Sequence, residues 1–178
     1  MKLVHKKIPA HFLAAIPEGI KYIKKQGQDF LVVEKICCPN GHNLMAERVR
    51  IHNEPSICFR IKTGNSEGLI FVDAFWGGHS KLYNFIPDFP GTAHAVEAFC
   101  VQCKTSLTVK DRCSQDNCDC KTAIKFSLPG GKNVIYVCAR LGCPGHRIEI
   151  KDVPHNISEQ ISSINFFGAQ SDYMLMEI

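Results

Sequence analysis

Ten cysteines in a chain of 178 residues constrain this fold more than any other feature, because most stand in close pairs or beside a histidine. The groupings are Cys38-x3-His42, Cys100-x2-Cys103, Cys113-x4-Cys118-x-Cys120 and Cys138-x4-Cys143-x2-His146. Two donors separated by two to four residues can converge on one ion from a single tight turn, and two such turns complete a tetrahedron. The pattern therefore predicts a chain that folds around one or two metal ions.

Whether the thiols are free depends on the compartment. The N-terminus, Met1-Lys-Leu-Val-His-Lys-Lys, lacks the uninterrupted apolar stretch of a signal peptide, and no window approaches the length of a membrane span. The expectation is a soluble, cytoplasmic protein with no membrane partner, where reducing conditions favour metal ligation over disulfides. The formal charge of +4 is mildly basic and spread along the chain, from Lys2, Lys6 and Lys7 to Arg48, Arg50, Arg60 and Lys62. It permits an acidic partner without requiring one.

Periodicity predicts an α+β protein: an antiparallel β-rich core with metal knuckles and short flanking helices. Pro9 and Pro17 can each open a helical turn, Ile16, Ile20 and Ile23 share a face, and Gly27 can close the run Ile20-Lys-Tyr-Ile-Lys-Lys. From Asp29 the texture turns to strands. Phe30-Leu-Val-Val is β-rich, Val49 and Ile51 alternate with polar neighbours, and so do Ile57, Phe59 and Ile61. With Leu69-Ile-Phe-Val they read as a meander with one buried and one basic face. Residues 74–95, rich in aromatics, Gly and Pro, read as an irregular cover. Ala123-Ile-Lys-Phe-Ser and Val134-Ile-Tyr-Val-Cys flank a hairpin turn, and Asn156 with Glu159 marks a last helix striped by Ile157, Ile161 and Ile164. The expected organisation is a meander region with one knuckle (1–99), a cysteine-rich region (100–150), and a C-terminal helix and tail (151–178).

Within the cysteine clusters, Phe99-Cys-Val-Gln-Cys-Lys-Thr-Ser-Leu107 resembles a zinc-ribbon knuckle, and Cys38-Pro-Asn-Gly-His42 is similar to the Cys-x3-His knuckles of zinc fingers. The resemblance covers short segments and implies no specific family. Lys104 stands where the usual ribbon has Gly after its second cysteine. The preferred pairing sets Cys38, His42, Cys100 and Cys103 on one zinc, with a second taking four of Cys113, Cys118, Cys120, Cys138, Cys143 and His146. A competing arithmetic draws both ligand sets from the eight donors between Cys100 and His146, and sequence leaves the choice open. Cys37 reads as the spare of its doublet and Cys58 as a packed strand residue. Histidine donors and the absence of a Cys-x2-Cys-x2-Cys run favour zinc over an iron–sulfur cluster.

Cysteine-heavy four-ligand sites are closed to substrate, which favours a structural role. There is no His-Glu-x-x-His. His94-x2-Glu97 misses the deaminase spacing and reads as a helix turn entering the knuckle. In Asp73-Ala-Phe-Trp-Gly-Gly-His79, Asp73 and His79 are candidates for acid–base chemistry and the glycines for close ligand approach, weighed against a sheet cover and turn. The leading functional expectation is a non-enzymatic zinc protein presenting a surface to protein or nucleic acid. The alternative is a zinc hydrolase or cysteine–metal redox protein.

Overall fold

The computed structural model describes residues 7–91 and 94–164. Lys2, Lys6 and the tail over 165–178 lie outside them. Among the described residues, the chain forms α1 (Ala10–Leu13), a hairpin β1 (Ile20–Lys25) and β2 (Gln28–Val33), then the meander β3 (Met45–Ile51), β4 (Glu54–Thr63), β5 (Ser66–Val72) and β6 (Lys81–Tyr83). There follow β7 (Glu97–Phe99), β8 (Thr108–Lys110), β9 (Thr122–Ser127), β10 (Val134–Cys138), β11 (His146–Glu149) and α2 (His155–Ser162). All pairings between these strands are antiparallel.

Period-two alternation dictates the central meander. Ile57, Phe59 and Ile61 of β4 are buried, as the sequence pattern requires of one sheet face. Strand β4 pairs β5 along one edge, while β3 and β7 share its other edge at opposite ends. A second sheet runs in the order β11-β10-β9-β8. Phe59 of the first sheet meets Phe126 of the second with ring centroids 5.4 Å apart, so the two sheets share one core. That buried cluster extends from Ile8 to Ile164.

Three local expectations are corrected. Ile20–Lys25 is a strand, not a helix: Ile20 pairs Val33 in a two-residue hairpin, and Gln26 (φ 50°) and Gly27 (φ 76°) supply its two left-handed turn positions. The apolar spacing of Ile20 and Ile23 suited a helix, but pairing with the apolar run Phe30–Val33 decides otherwise. His94 leads into the strand β7 rather than a helical turn. Helix α2 starts after Pro154, with Asn156 inside it and no side-chain cap, although Ile157, Ile161 and Ile164 are buried as the stripe predicts. Among the described residues of the cover over 74–95 is one short strand, β6, which pairs Ile70–Val72. No described helix is long and apolar enough to cross a membrane.

Candidate metal centres

All ten cysteines are free thiols. Eight of the ten predicted ligands fall into two tetrads: Cys38, His42, Cys100 and Cys103, and Cys113, Cys118, Cys138 and Cys143, the ligand atoms of each lying within 4.8 Å of one another. The first tetrad is the preferred sequence pairing, joining the β2–β3 connection to the turn after β7.

The first site is built from two tight turns. Gly41 N donates to Cys38 O and Cys38 N to His42 O, closing one turn, and Gly41 takes φ 83°. In the other, Lys104 N donates to Cys100 O and Lys104 adopts φ 60°. The position that a ribbon fills with Gly is thus left-handed here too, and Lys occupies it at a cost of about 1 kcal/mol. Asn40 Nδ2 reaches Cys103 Sγ (3.4 Å) and Thr105 Oγ1 (2.8 Å), tying the two turns together. Hydrogen bonds from the Thr105 side chain and backbone, opposed by a smaller effect of burial, hold the Cys103 thiol down to about 5, so it is poised as a thiolate. Burial pushes Cys100 up.

The second site lies at one end of the four-stranded sheet. The β8–β9 connection supplies Cys113 and Cys118, and Cys138 at the end of β10 faces them with Cys143 from the β10–β11 connection. Cys113 N donates to Cys120 O and Cys138 N to Gly145 O, extending the strand ladders into the loops. A Cβ on Gly145 would stand 2.6 Å from Cys113 Sγ and 3.3 Å from Cys143 Sγ, so only Gly allows this approach. Burial pushes Cys138 up and Cys143 up to about 11. Arg140 Nη1 lies 3.7 Å from Cys118 Sγ while Nη2 donates to Asp119 Oδ1 at 2.8 Å.

Both donor sets fit a tetrahedral ion. Four thiolates about 2.3 Å from a shared centre stand about 3.8 Å apart. Here Cys38–Cys103 is 3.8 Å, Cys118–Cys138 3.8 Å and Cys113–Cys143 3.6 Å, with Cys38 Sγ 3.4 Å from His42 Nδ1. Burying several thiolates together without a cation is costly, and a bound divalent ion removes that cost.

Two predicted ligands stand outside the tetrads. Cys120 is buried, with Sγ 3.3 Å from Thr122 O. His146 sets Nδ1 2.9 Å from Pro144 O and Nε2 2.6 Å from Ile164 O, and its ring meets Trp76 edge-on at 4.8 Å. Burial lowers its pKa against the pull of the two carbonyls. One signal picks the four ligands that do converge: Cys113 to Cys118 and Cys138 to Cys143 share the same x4 spacing. Of the thiols set aside, Cys37 exchanges backbone hydrogen bonds with Ser127, joining the first knuckle to β9. Cys58 is a half-buried strand residue whose thiol burial pushes up.

Two of the four meander cations, Arg60 and Lys62, stand beside carboxylates. Lys62 sits across from Glu67 on one side and Glu97 on the other, Arg60 is 3.4 Å from Glu67, and Arg50 donates to Asn53 O. Among the described residues, the exposed large apolar side chains are Leu13, Tyr22 and Val101 and, on β6 and the loop after it, Leu82, Phe89 and Ile86, the last 92% exposed. Beside β6 a groove of about 760 Å³ runs past Tyr83, Phe89 and His94 to Arg140 and Cys118 of the second tetrad.

A residue pair that sequence reasoning missed joins Asp73 to His52. His52 and Asn53 take positive φ (52° and 67°) in the two-residue β3–β4 turn, which folds the imidazole inward. Its Nδ1 lies 3.0 Å from Asp73 Oδ2, and the two side chains are 4% and 2% exposed. His52 Nε2 is buried without a hydrogen-bond partner. The motif signalled Asp73 but not its partner, which arrives from a turn more than twenty residues earlier.

A scan against protein-family models finds no match to this chain, and neither a curated protein nor a solved structure matches it.

Proposed function

We propose that this chain is a non-enzymatic protein in which two structural zinc ions hold a rigid surface for a macromolecular partner, protein or nucleic acid. The observation that carries the reading is that each tetrad supplies four protein donors, which fills a tetrahedral zinc and leaves no position for a substrate or water. Three thiolates with one imidazole, and four thiolates, are donor sets of structural zinc, and the histidine argues against an iron–sulfur cluster. The ions would fasten loops at the edges of both sheets, adding coordination free energy to the packing there.

The surface best suited to a partner is the patch of Leu82, Ile86 and Phe89 with its adjoining groove. Exposed apolar side chains on β6 and its following loop, with a groove lined by Phe89, Lys81 and Arg140, fit a docking site better than a meander face whose Arg60 and Lys62 stand beside carboxylates.

Metal analysis of the purified protein should give two zinc ions per chain, falling to one in Cys38→Ser and to one in Cys113→Ser. Iron absorbance, or two ions retained by either variant, would sink the assignment. Ile86→Asp with Phe89→Asp should leave zinc content and melting temperature unchanged while abolishing partner capture. Loss of stability would place those residues in the core instead.

A further inference from the structure

The segment Asp73–Lys81 is unused by the metal centres, yet all nine of its residues line a cavity of about 100 Å³ between the two sheets. The rest of the lining is mostly apolar, from Ile57 and Phe59 of one sheet and Phe126, Ile135 and Val137 of the other, and it reaches Cys138, Cys143 and His146 beside the second tetrad. Native interiors close voids of this size because unfilled space forfeits dispersion contacts.

The wall is also held in place at several points. Asp73 accepts from Phe75 N (3.0 Å) and faces His52 Nδ1, while Asp73 N donates to Ser80 O and Gly78 N to Phe75 O. Trp76 Nε1 donates to Ile161 O at 2.8 Å, and Val33 N to Ala74 O. Gly78 leaves no room for a side chain, since a Cβ would stand 2.4 Å from Asp73 Oδ2.

At the mouth of the cavity stands Lys81. It lines both the cavity and the neighbouring groove, as do Leu141 and Cys143, so the two spaces lie side by side there. Its ammonium donates to His79 O at 3.0 Å and has no carboxylate within 4.0 Å among the described residues, which leaves further N–H donors for an anion. Asp73 is occupied by His52 and a backbone amide, and burial lowers the Lys81 pKa against the longer-range attraction of the Asp73 carboxylate.

We propose that this cavity is a binding site for a small branched-chain carboxylate, its aliphatic body against Ile57, Phe59 and Val137 and its carboxylate on Lys81. A 150 Å³ apolar cavity admits benzene, so about 100 Å³ admits a body of about four carbons, of which isobutyrate is the probe. The site does not depend on what the protein's outer surface binds.

The test is ligand-observed NMR titration of metal-replete protein with isobutyrate and with isobutanol, which has the same body without the charge. Isobutyrate should bind saturably and about tenfold more tightly than the alcohol, the margin of a charge-assisted hydrogen bond. Lys81→Met should erase that preference while retaining the alcohol, and Val137→Phe should fill the cavity and abolish both. The proposal is overturned if neither probe saturates at about 10 mM, ten times the 1 mM dissociation constant reasonable for so small a ligand. Equal binding of acid and alcohol, or an undiminished preference in Lys81→Met, overturns it as well. In cobalt-substituted protein the visible bands should not move on adding isobutyrate, and a shift would put the carboxylate on the metal rather than on Lys81.

Discussion

Gly145 sets how closely the two halves of the second tetrad approach, because its missing side chain lets Cys113 Sγ sit where a methyl would otherwise stand at 2.6 Å. Gly145→Ala should therefore reduce zinc from two ions per chain to one, with the first site untouched. Gly41→Ala strains a left-handed turn in open space, and should cost about 1 kcal/mol while keeping both ions. Metal content and melting temperature measured together separate the two effects, and two ions in Gly145→Ala would disprove the steric argument. At this scale spacing picked out the eight side chains that converge in the two tetrads, since donor type and spacing are local properties. The left-handed Lys104 was not: its conformation is imposed by the knuckle, and a single sequence carries no mark of strain.

At the scale of elements, α2 is held to the second sheet by its isoleucine stripe and by a few polar ties. Ser162 Oγ accepts from Ile148 N and donates to Ser158 O, while Trp76 caps the end of the helix by donating to Ile161 O. Ile161 is fully buried. Ile161→Ala should cost about 2–4 kcal/mol and alter Trp76 fluorescence before global unfolding, because it loosens the helix against the indole. An unchanged denaturant midpoint would show that α2 is not part of the cooperative core. The strand meander was readable from alternation alone. The β1–β2 hairpin was not, because Ile16, Ile20 and Ile23 suit a helical face and only pairing with Phe30–Val33 makes Ile20–Lys25 a strand.

Across the whole molecule, the two tetrads bring together segments far apart in the chain. Cys38 and Cys103 are 65 residues apart and Cys113 and Cys143 are 30 apart, so a shared ion closes two long loops. Each ion that binds only the folded chain contributes about 4 kcal/mol when free zinc exceeds its dissociation constant about a thousandfold. Chelation should lower the melting temperature and expose the thiols to alkylation, starting at the loops that join the two sheets. A metal-free protein with the same melting temperature and protected thiols would remove the structural role of the ions.

Cysteine spacing and strand alternation were enough for the donor types and the β-rich class, because each depends on residues within a few positions of one another. Tertiary structure alone decided which knuckles share a centre, why Cys120 and His146 stand apart, and that His52 reaches Asp73. Those outcomes depend on which loops two packed sheets bring to the same edge, and no local spacing encodes that distance.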